Sequence, residues 1–246
     1  MSEFRVIALA GIPEIDEGQD LGGLVAAAAE RAGGLEDGDV VVVAQKAVSK
    51  AEGRVIELAS VTPSRFAEGI SADRDPRQTE VILGEAVRIV RLRPPLVIAE
   101  TRQGFVCASA GVDASNAPAE GTVVLLPVDP DASAQRLRER LRELTGRSVA
   151  VLVTDSFGRP WRRGTTDVAI GAAGLRVLLD LRGERDPTGY ELHATTIAVA
   201  DEIAGAAELV MGKTKRTPAA IVRGLDVGGA GTGRDLIMPP DRDLFR

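Results

Sequence analysis

Two uninterrupted apolar runs, VVVVA at Val40–Ala44 and VAVLVT at 149–154, constrain the fold more than any other feature of the chain. Neither alternates polar with apolar residues, so neither suits a sheet with one face in water. Each reads as a strand covered on both faces. The covering layers must be aliphatic, because aromatic residues make up only 3% of the chain. With 246 residues, 44% of them hydrophobic, there is enough material for one large domain or two small ones.

Around these runs the punctuation is clear. Residues 4–10 read as a first strand, ended by Gly11 and Pro13. Asp20 can cap a helix reaching about Ala32, with Gly33-Gly34 as its stop. Pro63 opens a short helical segment and Pro76 another that extends to about Arg88. Pro94-Pro95 precedes a strand at 96–99 with a hairpin partner at 104–108, and 122–126 is a further strand. A helix at 131–144 places Leu137, Leu141 and Leu144 on one face and stops at Gly146. Residues 196–212 read as a second long helix, 219–223 as a late strand, and the glycine-rich 228–233 as a mobile stretch. Strands alternate with helices and then cluster without them, so the expected class is α+β with mixed sheets and packed helices. The expected organisation is a single catalytic unit over 1–246, or two closely packed subdomains.

Scarcity removes whole classes of chemistry. Cys107 is the only cysteine and His193 the only histidine. Internal disulfides, cysteine-based metal sites and histidine-rich metal sites are therefore excluded. A net charge of −6 argues against a nucleic-acid binder. No run approaches the roughly 18 apolar residues of a membrane span, and the opening MSEFR does not resemble a signal peptide. A cytoplasmic protein without membrane or nucleic-acid partners is expected. Carboxylates, hydroxyls, Lys and Arg remain, a set suited to hard divalent cations and phosphates.

Three segments concentrate those groups. In 149–163 (VAVLVTDSFGRPWRR) a buried strand delivers Asp155 and Ser156 at its carboxyl end, and an irregular turn at Gly158 and Pro160 carries Arg159, Arg162 and Arg163. A carboxylate beside a hydroxyl suits Mg²⁺, and arginines suit phosphate; the plainer alternative is an Asp-Ser turn with solvated arginines. In 105–116 (FVCASAGVDASN) small residues precede Asp113, Ser115 and Asn116, which offer a second carboxylate or an Asx turn. In 45–54 (QKAVSKAEGR) Lys46, Lys50 and Arg54 follow the Val40–Ala44 strand, as phosphate ligands or as an exposed turn. Cys107 reads as a core residue, and Trp161 as either a packing anchor or a stacking platform. Two look-alikes fail. Met211-Gly212-Lys213-Thr214 has the wrong glycine spacing for a P-loop and follows a helix, and 228–233 lacks the third glycine of a dinucleotide fingerprint.

GIPEI at 11–15, SKAEGR at 49–54, GVDASN at 111–116, TDSFGRPWR at 154–162 and VADEIAGAAELVMGK at 199–213 together resemble the coenzyme F420-0:L-glutamate ligase family, in order and across nearly the whole chain. The resemblance implies an unusual α+β fold in an intertwined homodimer. It implies addition of L-glutamate to a deazaflavin coenzyme precursor at the expense of GTP, then γ-linked extension, with Mg²⁺ or Mn²⁺ required and K⁺ helping. Carried over by position, Ile12, Pro13, Glu14 and Ile15 would line the GTP site, and Gln45, Lys46, Lys50 and Asn116 would contact the nucleotide. Asp113 and Asp155 would hold a first metal and Ser156 a second. Met211, Gly212 and Lys213 would close over the nucleotide, while Arg159, with Arg162 and Arg163, would hold the anionic substrates at the catalytic centre. Glu14 departs from the apolar residue frequent in relatives, Ser156 stands for a threonine, and Lys213 stands where an acidic second-metal ligand occurs; either another acid such as Glu208 substitutes, or Lys213 meets phosphate directly, or the second metal is held less tightly. The alternatives are a nucleotide-dependent ligase for another γ-glutamyl acceptor and a non-catalytic nucleotide-binding sensor.

Overall fold

The computed structural model describes residues 3–245. Its main sheet has the order β1 (Arg5–Ala8), β12 (Ala219–Arg223), β2 (Val40–Ala44), β8 (Ala150–Arg159), β9 (Arg162–Ala173). Only β2 and β8 run parallel, with Val40 opposite Ala150 and Ala44 opposite Thr154. Strand alternation sends Val41, Val43, Val151 and Val153 into one core, shared with α1 (Leu21–Arg31), α2 (Gln45–Ala51) and α5 (Pro130–Thr145). It sends Val40, Val42, Ala150 and Leu152 into the other, against α6 (Val199–Met211). Both faces being covered, a polar side chain on either run would be stranded. Each fully buried valine contributes about 1.5–3 kcal/mol.

A third core is built on Leu58, Ile70, Ile82, Val97 and Val123. It is enclosed by α3 (Arg65–Ile70), α4 (Pro76–Glu85), the ladder of β3 (Val55–Glu57) with β7 (Thr122–Val124), and the antiparallel sheet of β4 (Ala86–Arg93), β5 (Leu96–Thr101) and β6 (Val106–Ala108). A small ribbon of β10 (Leu179–Asp180) and β11 (Thr196–Ile197) completes a mixed α+β architecture with six α-helices among the described residues.

The caps at Asp20 and Gly146 follow the sequence, and α5 begins one residue earlier than expected, under a cap at Asp129. Asp20 accepts from the Gly23 amide at 3.0 Å, Asp129 from Ala132 at 3.1 Å, and Gly146 ends α5 with φ 70°. Several boundaries differ from expectation. Residues 86–88 begin β4 instead of ending a helix: Ala86, Arg88 and Ile89 pair with Thr101, Glu100 and Ala99 of β5, and the β-branched Val87, Ile89 and Val90 favour strand. Thr196 and Ile197 pair with Asp180 and Leu179, so α6 starts at Val199. Burial on α5 ends at Leu141, which leaves Leu144 exposed. The turn expected at Gly158 is strand: β8 runs on to Arg159 and returns through Pro160-Trp161 into β9.

The glycine-rich stretch is not a loose segment. The Gly231 amide donates to Leu175 O at 2.8 Å and the Gly233 amide to Asp131 Oδ1 at 2.6 Å. A Cβ at Gly233 would stand 2.4 Å from Ile170 O, so only glycine permits this close approach to β9. Among the described residues no helix is long and apolar enough to cross a membrane.

Candidate functional site

β2 ends at Ala44 and turns directly into α2, whereas β8 continues beyond it, paired only with β9. The step so formed, at the carboxyl end of the parallel pair, opens into a cleft of about 570 Å³. Four stretches distant in sequence line it. Ile12, Pro13, Glu14 and Ile15 come from the segment after β1; Gln45, Lys46 and Lys50 from α2; Asp155 and Ser156 from β8; Met211, Gly212 and Lys213 from the end of α6. Asn116 closes one wall, its Nδ2 donating to Lys213 O at 3.3 Å.

A β-bulge prepares the carboxylate end. Val153 faces Gly171 but Thr154 faces Ala169, so one residue of β9 is extra, and the Ala169 amide donates to Asp201 Oδ1 at 2.9 Å. Beyond the bulge the period of two separates neighbours. Thr154 and Ser156 share one face of β8 with Asp167 of β9, which pairs with Ser156 in register, and Asp155 takes the other. The Asp167 carboxylate is buried and accepts from Ser156 Oγ at 2.5 Å and Thr154 Oγ1 at 3.2 Å.

On the Asp155 side, Lys46 Nζ lies 2.6 Å from Asp113 Oδ2 and 3.4 Å from Ser115 Oγ. Asp113 itself is not part of the cleft wall but stands behind Lys46, and it also accepts from the Ser115 amide at 2.7 Å, the Asx turn foreseen as the alternative. Burial opposes its charge, but the Lys46 ammonium and the Ser115 hydrogen bonds outweigh it and hold the carboxyl below its ordinary range. Asp155 behaves oppositely. Burial pushes it up to about 6; Lys46 and its own backbone contact pull the other way, while the charges of Asp113 and Asp167 add to the rise. Among the described residues no cation lies within ion-pair distance of Asp155 or Asp167.

The remaining candidates divide. Lys50, nearly buried, pairs with the Glu14 carboxylate, so Glu14 enters the site as a counter-ion. Gln45 is structural on its nitrogen side, where Nε2 donates to Ser49 Oγ at 2.7 Å and Leu125 O at 2.8 Å. Arg54 is tied to Glu85 and Leu126 O, away from the cleft. Arg159, Arg162 and Arg163 are not brought to it either: they occupy the exposed end of the β8–β9 hairpin, where Arg159 Nη2 donates to Arg163 O at 3.0 Å. Trp161, at 83% exposure, is no packing anchor; its ring lies 5.0 Å from that of Phe245. Cys107 is core, with burial pushing its thiol up to about 12. His193 is exposed against Tyr190. Glu208 does line the cleft, with Arg216 and Asp167, two residues the sequence reading passed over. A charged residue inside the run TTDVAIG was the available signal for Asp167; only strand register reveals that it faces Ser156.

The donor set suits a hard cation. Among the described residues no three acidic, histidine or cysteine side chains converge to chelate an ion by themselves. One or two carboxylates with hydroxyls, completed by water and ligand phosphates, is how Mg²⁺ is usually held. The half-buried Asp155 carboxylate and the basic Lys46, Lys213 and Arg216 around the same space fit a cation carried with a polyphosphate.

A family model described as F420-0:Gamma-glutamyl ligase matches residues 11–224. The chain is 50% identical over 241 residues to the coenzyme F420:L-glutamate ligase of Methanopyrus kandleri, covering 95% of this chain and 94% of that protein. It is 43% identical over 250 residues to the protein of the same name from Methanothermobacter thermautotrophicus, covering 99% of each. With that of Methanocaldococcus jannaschii it shares 44% identity over 216 residues, 86% of each.

Proposed function

The chain belongs to the F420-0:gamma-glutamyl ligase family, and on that premise we propose that it is a GTP-dependent ligase. It adds L-glutamate to coenzyme F420-0, or its dehydro form, and then further γ-linked glutamates. The observation that carries this reading is the cleft at the end of β2 and β8, where the half-buried Asp155 carboxylate, without an ion pair among the described residues, meets a basic wall. Uncharged or purely apolar ligands would leave both without partners.

Amide formation in water needs an activated carboxylate. The acceptor's carboxylate oxygen attacks the γ-phosphorus of GTP, the bond to the β-phosphate oxygen breaks, and GDP leaves. The glutamate amine then attacks the acyl phosphate carbon, phosphate departs with its bonding pair, and the amine loses its proton to solvent or phosphate. Asp155, with Asp113 once it exchanges Lys46 for the ion, would hold a first Mg²⁺ or Mn²⁺, and Ser156 a second, with Glu208 as a further acid in the cleft wall. Such an ion supplies charge neutralisation between the phosphates and the accepting carboxylate. Lys46, Lys213 and Arg216 hold phosphate oxygens, and Ile12, Ile15 and Met211 exclude water from the nucleotide.

K⁺ as helper and a homodimer belong to the same reading. An apolar groove including Phe105, Phe157, Val168, Ile237 and Phe245, with Trp161 beside it, is surface that a second copy would cover. The test is mass spectrometry after incubating the protein with coenzyme F420-0, L-glutamate, GTP and Mn²⁺. Products spaced by one glutamate, with GDP in equal amount, are expected. GTP consumption only with some other acceptor, or nucleotide binding without glutamate-dependent phosphate release, would overturn it.

A further inference from the structure

We infer that Asp167 is a positioning residue for the cation site: it takes the protons of the Ser156 and Thr154 hydroxyls and thereby turns their lone pairs outward to a cation. The inference rests on the metal-assisted reading above and adds to it a residue outside the ligand set. The geometry is direct. Ser156 Oγ lies 2.5 Å from Asp167 Oδ1 and Thr154 Oγ1 lies 3.2 Å from Oδ2, so one carboxylate engages two hydroxyls that share a strand face. An ionised carboxylate only accepts, and a hydroxyl has a single proton to give. Both protons therefore point at Asp167, and the oxygen of Ser156 presents only lone pairs to the cleft that both residues line. A cation meeting that oxygen encounters no proton.

Position reinforces orientation. Asp167 is buried at 7% exposure and has no cationic partner among the described residues, so the two hydroxyls are what satisfy it. Its place is fixed by the strand pairing Ser156↔Asp167 and by the bulge one turn of the pleat further in, whose free amide is held by Asp201. Carboxylates that orient a metal's own ligands in this way commonly govern affinity without touching the ion. Asp167→Asn keeps the shape but brings an amide donor. One hydroxyl then must accept from it and aim its own proton into the cleft.

The experiment measures Mn²⁺ affinity of the full chain, from the electron paramagnetic resonance signal of free Mn²⁺, with the β,γ-imido analogue of GTP present. Asp167→Asn is expected to weaken Mn²⁺ roughly 10- to 100-fold, with an unchanged melting temperature in the metal-free protein. Ser156→Ala is expected to weaken it similarly, Ser156→Thr to preserve it, and the double variant S156A/D167N to be no weaker than Ser156→Ala alone. Full Mn²⁺ affinity in Asp167→Asn, or losses that simply multiply in the double variant, would overturn the inference. If Asp167→Asn does not fold, the Ser156 pair decides: an Ala variant binding Mn²⁺ as tightly as the parent leaves no hydroxyl role for Asp167 to support. Asp155→Asn separates the two levels. Loss of Mn²⁺ there with none in Asp167→Asn sinks only this inference, whereas retention in Asp155→Asn sinks the cation site itself.

Discussion

Asp39 and Asp155 flank opposite ends of the one parallel strand pair, and the protein treats their charges in opposite ways. Asp39, just before β2, is 1% exposed, and Arg223 of β12 reaches it through Nε and Nη2, each at 2.8 Å, while the Glu36 amide donates at 2.8 Å. Asp155, just past the last residue β8 shares with β2, makes no ion pair among the described residues and is raised to about 6. The first carboxylate is neutralised by the fold and serves the fold. The second is a standing cost to the folded chain that a bound cation would remove. Acids of equal chemistry, one buried and one half-buried, thus separate into structural and functional ones by whether the protein supplies the counter-ion.

The largest effect that would break this contrast is at the cleft. Asp155→Asn should lower glutamate-dependent phosphate release by at least about a thousandfold, roughly 4 kcal/mol of barrier, while the metal-free melting temperature holds or rises. Activity within tenfold of the parent would place Asp155 with the structural acids. Next comes the other end. Arg223→Met leaves Asp39 buried with nothing opposite it and should cost about 3–5 kcal/mol in urea unfolding. GTP affinity of the folded protein should not change. A loss below about 1 kcal/mol would mean that Asp39 draws its compensation from elsewhere.

The same contrast explains what the sequence could reveal. The VVVVA run announced a strand covered on both faces, and the structure shows why: alternate valines enter different cores. Asp20 and Gly146 announced their caps because capping is local chemistry. Asp155 and Ser156 were legible because a polar pair ending an apolar strand is conspicuous. Asp167 was not, since its importance comes from lying opposite Ser156, a matter of register between β8 and β9. Arg159 misled for the converse reason. Charge density in RPWRR looked like an anion clamp, but continuation of β8 as strand carries it out along the hairpin, away from the cleft. The Asp39–Arg223 pair, 184 residues apart in sequence, carried no local signal at all.

A smaller effect sharpens the contrast through pH. Asp155 is raised in the folded chain from the ordinary 3.8 to about 6, so the folded state binds a proton that the unfolded state has already lost between those values. Stability from this group is fully present below about 3.8 and is lost as pH rises through about 6, a decline of roughly 3 kcal/mol. Urea unfolding of the metal-free protein across this window, compared with Asp155→Asn, isolates the contribution. The parent should fall relative to the variant, and saturating Mn²⁺ should restore most of the difference near neutrality. Parallel pH profiles for the two proteins would show that the fold already compensates Asp155.

The smallest effect concerns the hairpin tip. Arg159 is exposed, bonds only to Arg163 O among the contacts seen, and lies outside the cleft wall. Arg159→Ala should therefore change stability by no more than about 0.5 kcal/mol and leave Mn²⁺ and GTP affinities within about twofold, because surface charges at this distance are screened by salt. Calorimetric titration of Mn²⁺ and GTP into the variant checks this directly. A large loss of GTP affinity would mean that the tip of β8 and β9 reaches a nucleotide after all, as it would if it entered the cleft of a second copy. The boundary between fold-serving and ligand-serving charge would then run between chains as well as along a strand.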